Sequence, residues 1–316
     1  MIAAVIKDPH FRFGMSKPIG RKDTFFNEIS DKIEQIIDIC DKYEIKDLIC
    51  TGDILDIKAP SLYDFKSIKE IYDKLNHIKD SGIKIYSVAG NHDLPASSLD
   101  RKSESVYQFF VNQGLITDIE PNNNDEITGF DFRANLDDLK YLIGNEPIGK
   151  ILVLHEMLIP KPNSLFSCVN HLTYDEVVKL LKSNPKSKCK IVIGGHLHIG
   201  YGNQTIDGIT FINVWSLTRL ARDVSVVTDS HTPEICILDS DELYAENIKL
   251  KVLPYKDAFI KKEVEQQVQL NNTVNDFIVK LSNFSTNVEQ GLKDLPGVSD
   301  RVKEKIENYI ERARNG

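Results

Sequence analysis

Five short apolar runs in this chain each stop at side chains able to bind a cation, and no other feature restricts the fold so tightly. Ile2 to Ile6 is followed by Asp8-Pro9-His10. Leu48 to Cys50 leads through Thr51-Gly52 to Asp53-Ile54-Leu55-Asp56. Ile83 to Val88 ends in Gly90-Asn91-His92-Asp93. Ile151 to Leu154 ends in His155, and Lys190 to Ile193 ends in Gly194-Gly195-His196-Leu197-His198. Apolar runs of this length, bounded by turn residues, read as buried strands. A glycine such as Gly52 lets the backbone turn without a side-chain clash, so the carboxylate after it sits at the edge of a sheet.

Helical spacings separate these runs. Residues 24–43 carry Phe26, Ile29, Ile33, Ile36, Ile37 and Cys40 at intervals of three and four. Residues 64–80 carry Ile68, Ile71, Leu75 and Ile78 in the same way, and Ser81-Gly82 ends that helix. Further helices are expected at 98–113, from Leu136 to Ile143 and at 173–182, with a short strand from Gly129 to Arg133. Alternating strands and helices predict an α/β fold with a parallel sheet and right-handed crossovers. Its strand ends would share one edge, where ligand sites form. Beyond His198, Gln204 to Asn213 reads as a hairpin turning at Asp207-Gly208. Strands near 224–228 and 233–238 follow without a helix between them, which implies a second, antiparallel layer. From 256 the spacing is helical again, through Ile260, Val264, Val268, Val274, Phe277, Ile278 and Leu281. Pro296-Gly297 breaks it, and a last helix with Ser299 as N-cap carries Val302, Ile306, Tyr309, Ile310 and Ala313. The expected organisation is a domain over 1–255 and a helical appendage over 256–316.

The chain of 316 residues has a net charge of −8. Residues 256–316 hold ten Lys/Arg and ten Asp/Glu, so the whole excess lies in 1–255. That argues against a broadly basic surface coating nucleic acid. Carboxylates that bind metal would have their charge offset by the ions. The five cysteines are scattered, odd in number and without a C-x-x-C pair, which points to reduced, core-filling thiols. The N-terminal apolar run is too short and wrongly flanked for a signal peptide, and no run approaches the ~20 residues that span a bilayer. A cytoplasmic protein without membrane attachment is expected.

The side chains gathered by the strand ends are chemically narrow: Asp8, His10, Asp53, Asn91, His155, His196 and His198. They offer carboxylate, imidazole and one amide oxygen. No serine or cysteine nucleophile with a dedicated base accompanies them, and no glycine-rich phosphate loop. Mixed nitrogen and oxygen ligation suits Mn²⁺, Fe²⁺ or Zn²⁺ rather than a calcium cage or a thiolate site. Each block alone reads as readily as a capped turn or a core histidine; five in order, each after an apolar run, do not. His77 on a helix face, and His171 and His231 in turn-like segments, stand outside the set.

Asp8-x-His10, Gly52-Asp53-x-x-Asp56, Gly90-Asn91-His92-Asp93, His155 and Gly195-His196-x-His198 resemble the five signature blocks of the calcineurin-like metallophosphoesterases, over roughly residues 1–230. The resemblance implies two packed mixed sheets flanked by helices. It implies one metal on Asp8, His10, Asp53 and His198, and a second on Asp53, Asn91, His155 and His196, with Asp53 bridging. It also implies phosphoester hydrolysis by a metal-bridging hydroxide, His92 protonating the leaving oxygen and Asp56 orienting His92. Within the family, Gly-Asp-Ile-Leu-Asp and Gly-Asn-His-Asp-Leu-Pro look most like the nuclease subunit of SbcCD and Mre/Rad repair complexes, phage versions included. Ser216-Leu217-Thr218-Arg219 resembles that group's Gly-Ser-x-x-Arg stretch, with Trp215 where glycine is expected. The implied protein is a Mn²⁺-dependent DNA nuclease, with Arg12 and Arg219 binding substrate. Arg12, Lys17, Arg21 and Lys22 would steer phosphates, and Phe11 and Phe13 would stack on bases. The C-terminal helices would dock a coiled-coil ATPase subunit, and a homodimer is the other assembly considered. The alternative is a phosphodiesterase or phosphatase acting on nucleotides or cyclic nucleotides, which the acidic balance suits.

Overall fold

The computed structural model describes residues 1–56, 60–121, 125–163, 170–220 and 231–270. Met1–Gln267 form one compact unit and Val268–Gly316 another. The first unit runs past 255/256 because its closing segment bonds to the loop ahead of the first helix. Lys22 N–H donates to the Ala258 carbonyl at 3.0 Å, and Ile260 N–H to that of Gly20 at 2.8 Å. The helices expected beyond Leu270 and the strand expected at 224–228 lie outside the described residues.

Strands β1 (Ile2–Ile6), β2 (Asp47–Cys50), β3 (Lys84–Ser87) and β4 (Thr117–Asp118) run parallel in one sheet. Strands β5 (Ile127–Phe130), β6 (Ile151–Leu154) and β9 (Ile191–Gly194) run parallel in another. A small pair, β7 (Leu158–Ile159) and β8 (Leu172–Thr173), stands between β6 and β9 in sequence. The hairpin of β10 (Gln204–Ile206) and β11 (Ile209–Ile212) extends the second sheet, with β11 parallel to β9. Its turn residues Asp207 and Gly208 both have positive φ, 52° and 81°, as such a tight turn requires. Strands β12 (Glu234–Asp239) and β13 (Tyr244–Lys249) return to the first sheet, β12 antiparallel to β1.

This corrects two expectations. The five ligand-bearing strands divide between two sheets rather than sharing one. The antiparallel strands complete the first sheet instead of building a layer of their own. The physical reason is burial on both faces. Val5, Ile49, Val153 and Ile193 meet between the sheets, while the alternate residues Ala4, Ile6, Leu152 and Leu154 face helices outside.

The outer face of the first sheet packs on α1 (Phe25–Lys42), α2 (Phe65–Asp80) and α3 (Val106–Asn112). The second sheet packs on α4 (Leu136–Asn145) and α5 (Tyr174–Ser183). Asp64 caps α2 by accepting from Ser67 N–H at 2.7 Å. Thr173 and Glu176 close a reciprocal capping box on α5. The helix expected over 98–113 is interrupted at Ser105, whose extended backbone (φ −83°, ψ 153°) leaves a 3₁₀ stretch ahead of α3. Cys40, Cys50, Cys189 and Cys236 are buried free thiols. Among the described residues no helix is long and apolar enough to cross a membrane.

Candidate metal centre

Register brings the ligand loops together. Ile6 pairs with Cys50, and Cys50 with Ser87, so Asp8, Asp53 and Asn91 leave adjacent strand ends. Leu154 pairs with Gly194, which sets His155 beside His196 in the facing sheet. The loops turn sharply at the ligands themselves. Asp8, His10, Asp53 and His196 have φ of 45°, 47°, 48° and 66°. Left-handed backbone at a non-glycine residue costs roughly 1–2 kcal/mol. Strain of this kind gathers where geometry serves a site.

The expected donors converge. His10 Nε2 and His198 Nε2 lie 3.0 Å apart, and His198 Nε2 is 3.9 Å from Asp8 Oδ2. His10 Nε2 is 3.7 Å from Asp53 Oδ2, and His155 Nε2 is 3.4 Å from the same oxygen. Asn91 Oδ1 stands 3.1 Å from His155 Nε2 and 2.8 Å from His196 Nδ1. Two triads each place their donor atoms within 4.8 Å of one another: His10, Asp53 and His92, and Asp53, His155 and His196. Among the described residues Asp53 alone belongs to both.

The donor set fits divalent cations. Among the described residues the buried Asp8 Oδ2 has no hydrogen-bond partner, and two imidazole nitrogens face each other across the neighbouring gap. Both features are what convergence on a shared cation requires. Burial works against the ionised Asp53, but the charges of His155, then His10 and His92, outweigh it and hold the carboxyl well below its usual range. Burial likewise pulls His155 down, and Asp53 overrides it, so the imidazole is raised. His196 is pushed down to about 4 by burial and by His155, which keeps it neutral and able to ligate.

Residues that received no role in the sequence reading hold the centre in place. The Thr51 hydroxyl donates to Asp8 Oδ1 at 3.2 Å, and its carbonyl accepts from His155 Nδ1 at 2.7 Å. That leaves Nε2 as the His155 nitrogen available to a metal. The Asp93 carboxylate accepts from Gly90, Leu55 and Ile54 N–H at 2.8, 2.9 and 3.3 Å, tying the Asn91 loop to the Asp53 loop. The only sequence signal for Asp93 was its place in the Gly-Asn-His-Asp block. Gly90 is also required, since a β-carbon there would collide with Asp53.

His92 is fixed twice. Its N–H donates to Asp53 Oδ1 at 2.7 Å, and its Nδ1 donates to the main-chain carbonyl of Asp56 at 2.6 Å. The Asp56 carboxylate, expected to orient His92, lies 3.9 Å from that nitrogen. It pairs instead with Arg12 Nη1 at 2.6 Å and lies 3.4 Å from His10 Nδ1. Asp56 thus holds His92 through its backbone and Arg12 through its side chain.

Other expectations are overturned by burial. Arg219 is 2 % exposed and turned to Glu28 at 2.8 Å and to the Leu253 carbonyl at 2.8 Å. Arg21 is fully buried against the same carboxylate. Phe11 and Phe13 belong to the core packed under α1 and α2, so neither ring is free to stack on a base. Lys17 pairs with Asp23, and Lys22 donates to the Lys256 carbonyl. Of these groups Arg12 alone stays at the centre.

The sequence model of calcineurin-like phosphoesterases matches residues 4–205. The chain belongs to the calcineurin-like phosphoesterase family. Its members hydrolyse phosphoesters, and the paired donor triads, which meet at Asp53, are candidate metal-binding groups. Among solved structures, a dimetal phosphatase from Danio rerio is similar, at 12% identity over 79% of this chain and 99% of that one, with a TM-score of 0.45. No curated protein matches the chain in a sequence comparison.

Proposed function

We propose that this phosphoesterase is a DNA nuclease that cleaves phosphodiester bonds with two divalent cations, Mn²⁺ first among them. The cations would be held by Asp8, His10, Asp53 and His198 on one side and by Asp53, Asn91, His155 and His196 on the other. A bound pair supplies Lewis acidity and offsets charge at the phosphoryl group. The observation that carries the reading is the double anchoring of His92. With Nδ1–H held by a carbonyl, the proton that His92 can give is the one on Nε2. A sugar alkoxide is a poor leaving group and needs such a proton. Arg12, which pairs with Asp56, would meet phosphate oxygens. The choice of DNA rests on the likeness of Gly52–Asp56 and Gly90–Pro95 to the SbcCD and Mre/Rad nucleases. In that setting residues 256–316 would dock a coiled-coil ATPase subunit, and a homodimer is the other assembly proposed.

His92→Gln should retain two bound Mn²⁺ and lose ~10²–10⁴-fold in kcat on labelled DNA. On bis(p-nitrophenyl) phosphate, whose leaving group needs no proton, the loss should be far smaller. Equal losses on both substrates, or loss of a metal ion, would remove His92 from the acid role. Absence of Mn²⁺-dependent cleavage of both single- and double-stranded DNA by the wild type would remove the nuclease reading.

A small-molecule phosphodiesterase or phosphatase is the second reading, and one observation favours it. Arg21, expected to steer phosphates, and Arg219, expected to bind substrate, are committed to the interior. Competition decides between the two: long DNA should inhibit bis(p-nitrophenyl) phosphate turnover by a nuclease and leave a small-molecule enzyme untouched.

A further inference from the structure

Lys7 directly precedes Asp8 and is 1 % exposed. Its ammonium donates to Asn213 Oδ1 at 2.8 Å and to the Ile199 carbonyl at 3.1 Å. Both acceptors are neutral. An ammonium buried on neutral oxygens is an expensive choice at the end of a strand. A methionine would fill the space more cheaply but could not join these groups.

What Lys7 joins is the first sheet to the loop carrying His196 and His198. Ile199 follows His198 directly. The Lys7 carbonyl accepts from Leu217 N–H at 2.6 Å, while Ser216 N–H donates to the His198 carbonyl at 3.2 Å. Asn213 extends the knot into the second sheet. Its amide donates to the Tyr174 hydroxyl at 3.1 Å, and its carbonyl accepts from Tyr201 and Gly202 N–H, each at 3.1 Å. Lys7 therefore ties both sides of the gap between Asp8 and His198, whose donor atoms stand 3.9 Å apart.

We infer that Lys7 is a positioning residue, setting the separation of Asp8 and His198 and so the quality of one of the two metal sites. The inference rests on the two-metal reading of the centre but not on the choice of substrate. Two roles for Lys7 predict opposite signs. Its positive charge alone would weaken cation binding nearby, so removing it would tighten both sites. A positioning role requires that removing it loosen one site.

The test is Mn²⁺ titration of the metal-stripped full-length protein, followed by calorimetry and by electron paramagnetic resonance. In the wild type, two ions should give the spectrum of a coupled pair. In Lys7→Met, one site should weaken by ~10–100-fold, as for other residues that orient metal ligands. The single-ion spectrum should then persist until Mn²⁺ is in large excess, while the melting temperature measured without metal stays near wild type. Two unchanged sites, two tightened sites, or equal weakening of both would overturn the inference. If Lys7→Met does not fold, Asn213→Ala removes one of the two acceptors. The same selective weakening is expected of it, and its absence would overturn the inference equally. A wild type that binds fewer than two Mn²⁺ overturns the inference together with the two-metal reading. A wild type that binds two and ignores DNA leaves it standing.

Discussion

Asp53→Asn should abolish metal-dependent phosphoester hydrolysis, with kcat/KM on bis(p-nitrophenyl) phosphate falling by at least about 10³-fold. Asparagine keeps the shape of the side chain and an oxygen able to accept the His92 N–H. It also tolerates the left-handed backbone that Asp53 adopts at φ 48°. What it loses is the negative charge shared by both donor triads. Bound Mn²⁺ should fall from two ions to at most one. Stability without metal should fall, because His155, His10 and His92 lose the charge partner that they hold as a carboxylate below its usual range. Relief at the neighbouring Asp93, whose carboxyl is raised by burial and then by the charge of Asp53, offsets part of that loss. A variant that kept two Mn²⁺ and near-normal turnover would show that Asp53 does not bridge.

Much of this centre was legible because its residue types are out of place. Histidine and asparagine directly after a buried strand have no packing reason to be there, and chain order linked the blocks. Sheet membership was not legible. Val5 and Val153 belong to facing sheets but follow the same pattern of apolar runs. The short strand β4 and the start of β5, where one sheet gives way to the other, carry no distinct signal. Long-range polar pairings were hidden for a different reason. Arg219 meets Glu28 across 191 positions of chain, and nothing local to either residue marks the contact. Phe11 and Phe13 looked available because their loop is polar, yet their rings join the core beside Phe25. Asp56 shows the limit at a single residue. The family resemblance of Gly-Asp-x-x-Asp implied a role for it beside His92, but only coordinates separate a backbone carbonyl at 2.6 Å from a carboxylate at 3.9 Å.

Glu28→Gln should destabilise the folded protein by about 3–5 kcal/mol, enough to lower the melting temperature by roughly 10 °C. Glu28 lies on α1 between the core residues Phe25 and Ile29 and is itself 3 % exposed. It meets Lys32 at 3.0 Å, Arg21 at 3.1 Å and Arg219 at 2.8 Å. Phe259 lies beneath both guanidinium groups, 4.4 Å from Arg21 and 5.5 Å from Arg219. Burial acts to raise the Glu28 carboxyl, but Lys32, Arg21 and Arg219 together outweigh it and hold it down at about 2. Burial also pushes Lys32 down, to about 8, which a simple stabilising pair would not do. The two shifts agree once the carboxylate is seen as shared among three cations: it gains from each, and each gains only part of it. A fall from 4.5 to about 2 is worth about 3 kcal/mol, in line with the cost of breaking a buried ion pair. Because the folded carboxyl is the stronger acid, this contribution is whole above the unfolded value of 4.5 and is lost as pH falls through about 2. Denaturant titrations at pH 7 and pH 3 should therefore show a smaller gap between Glu28→Gln and wild type at the lower pH. Adding Lys32→Met to the variant should restore part of the loss by removing one of the stranded cations. A loss under about 1 kcal/mol at pH 7, or no recovery in the double variant, would mean that the three cations are neutralised elsewhere.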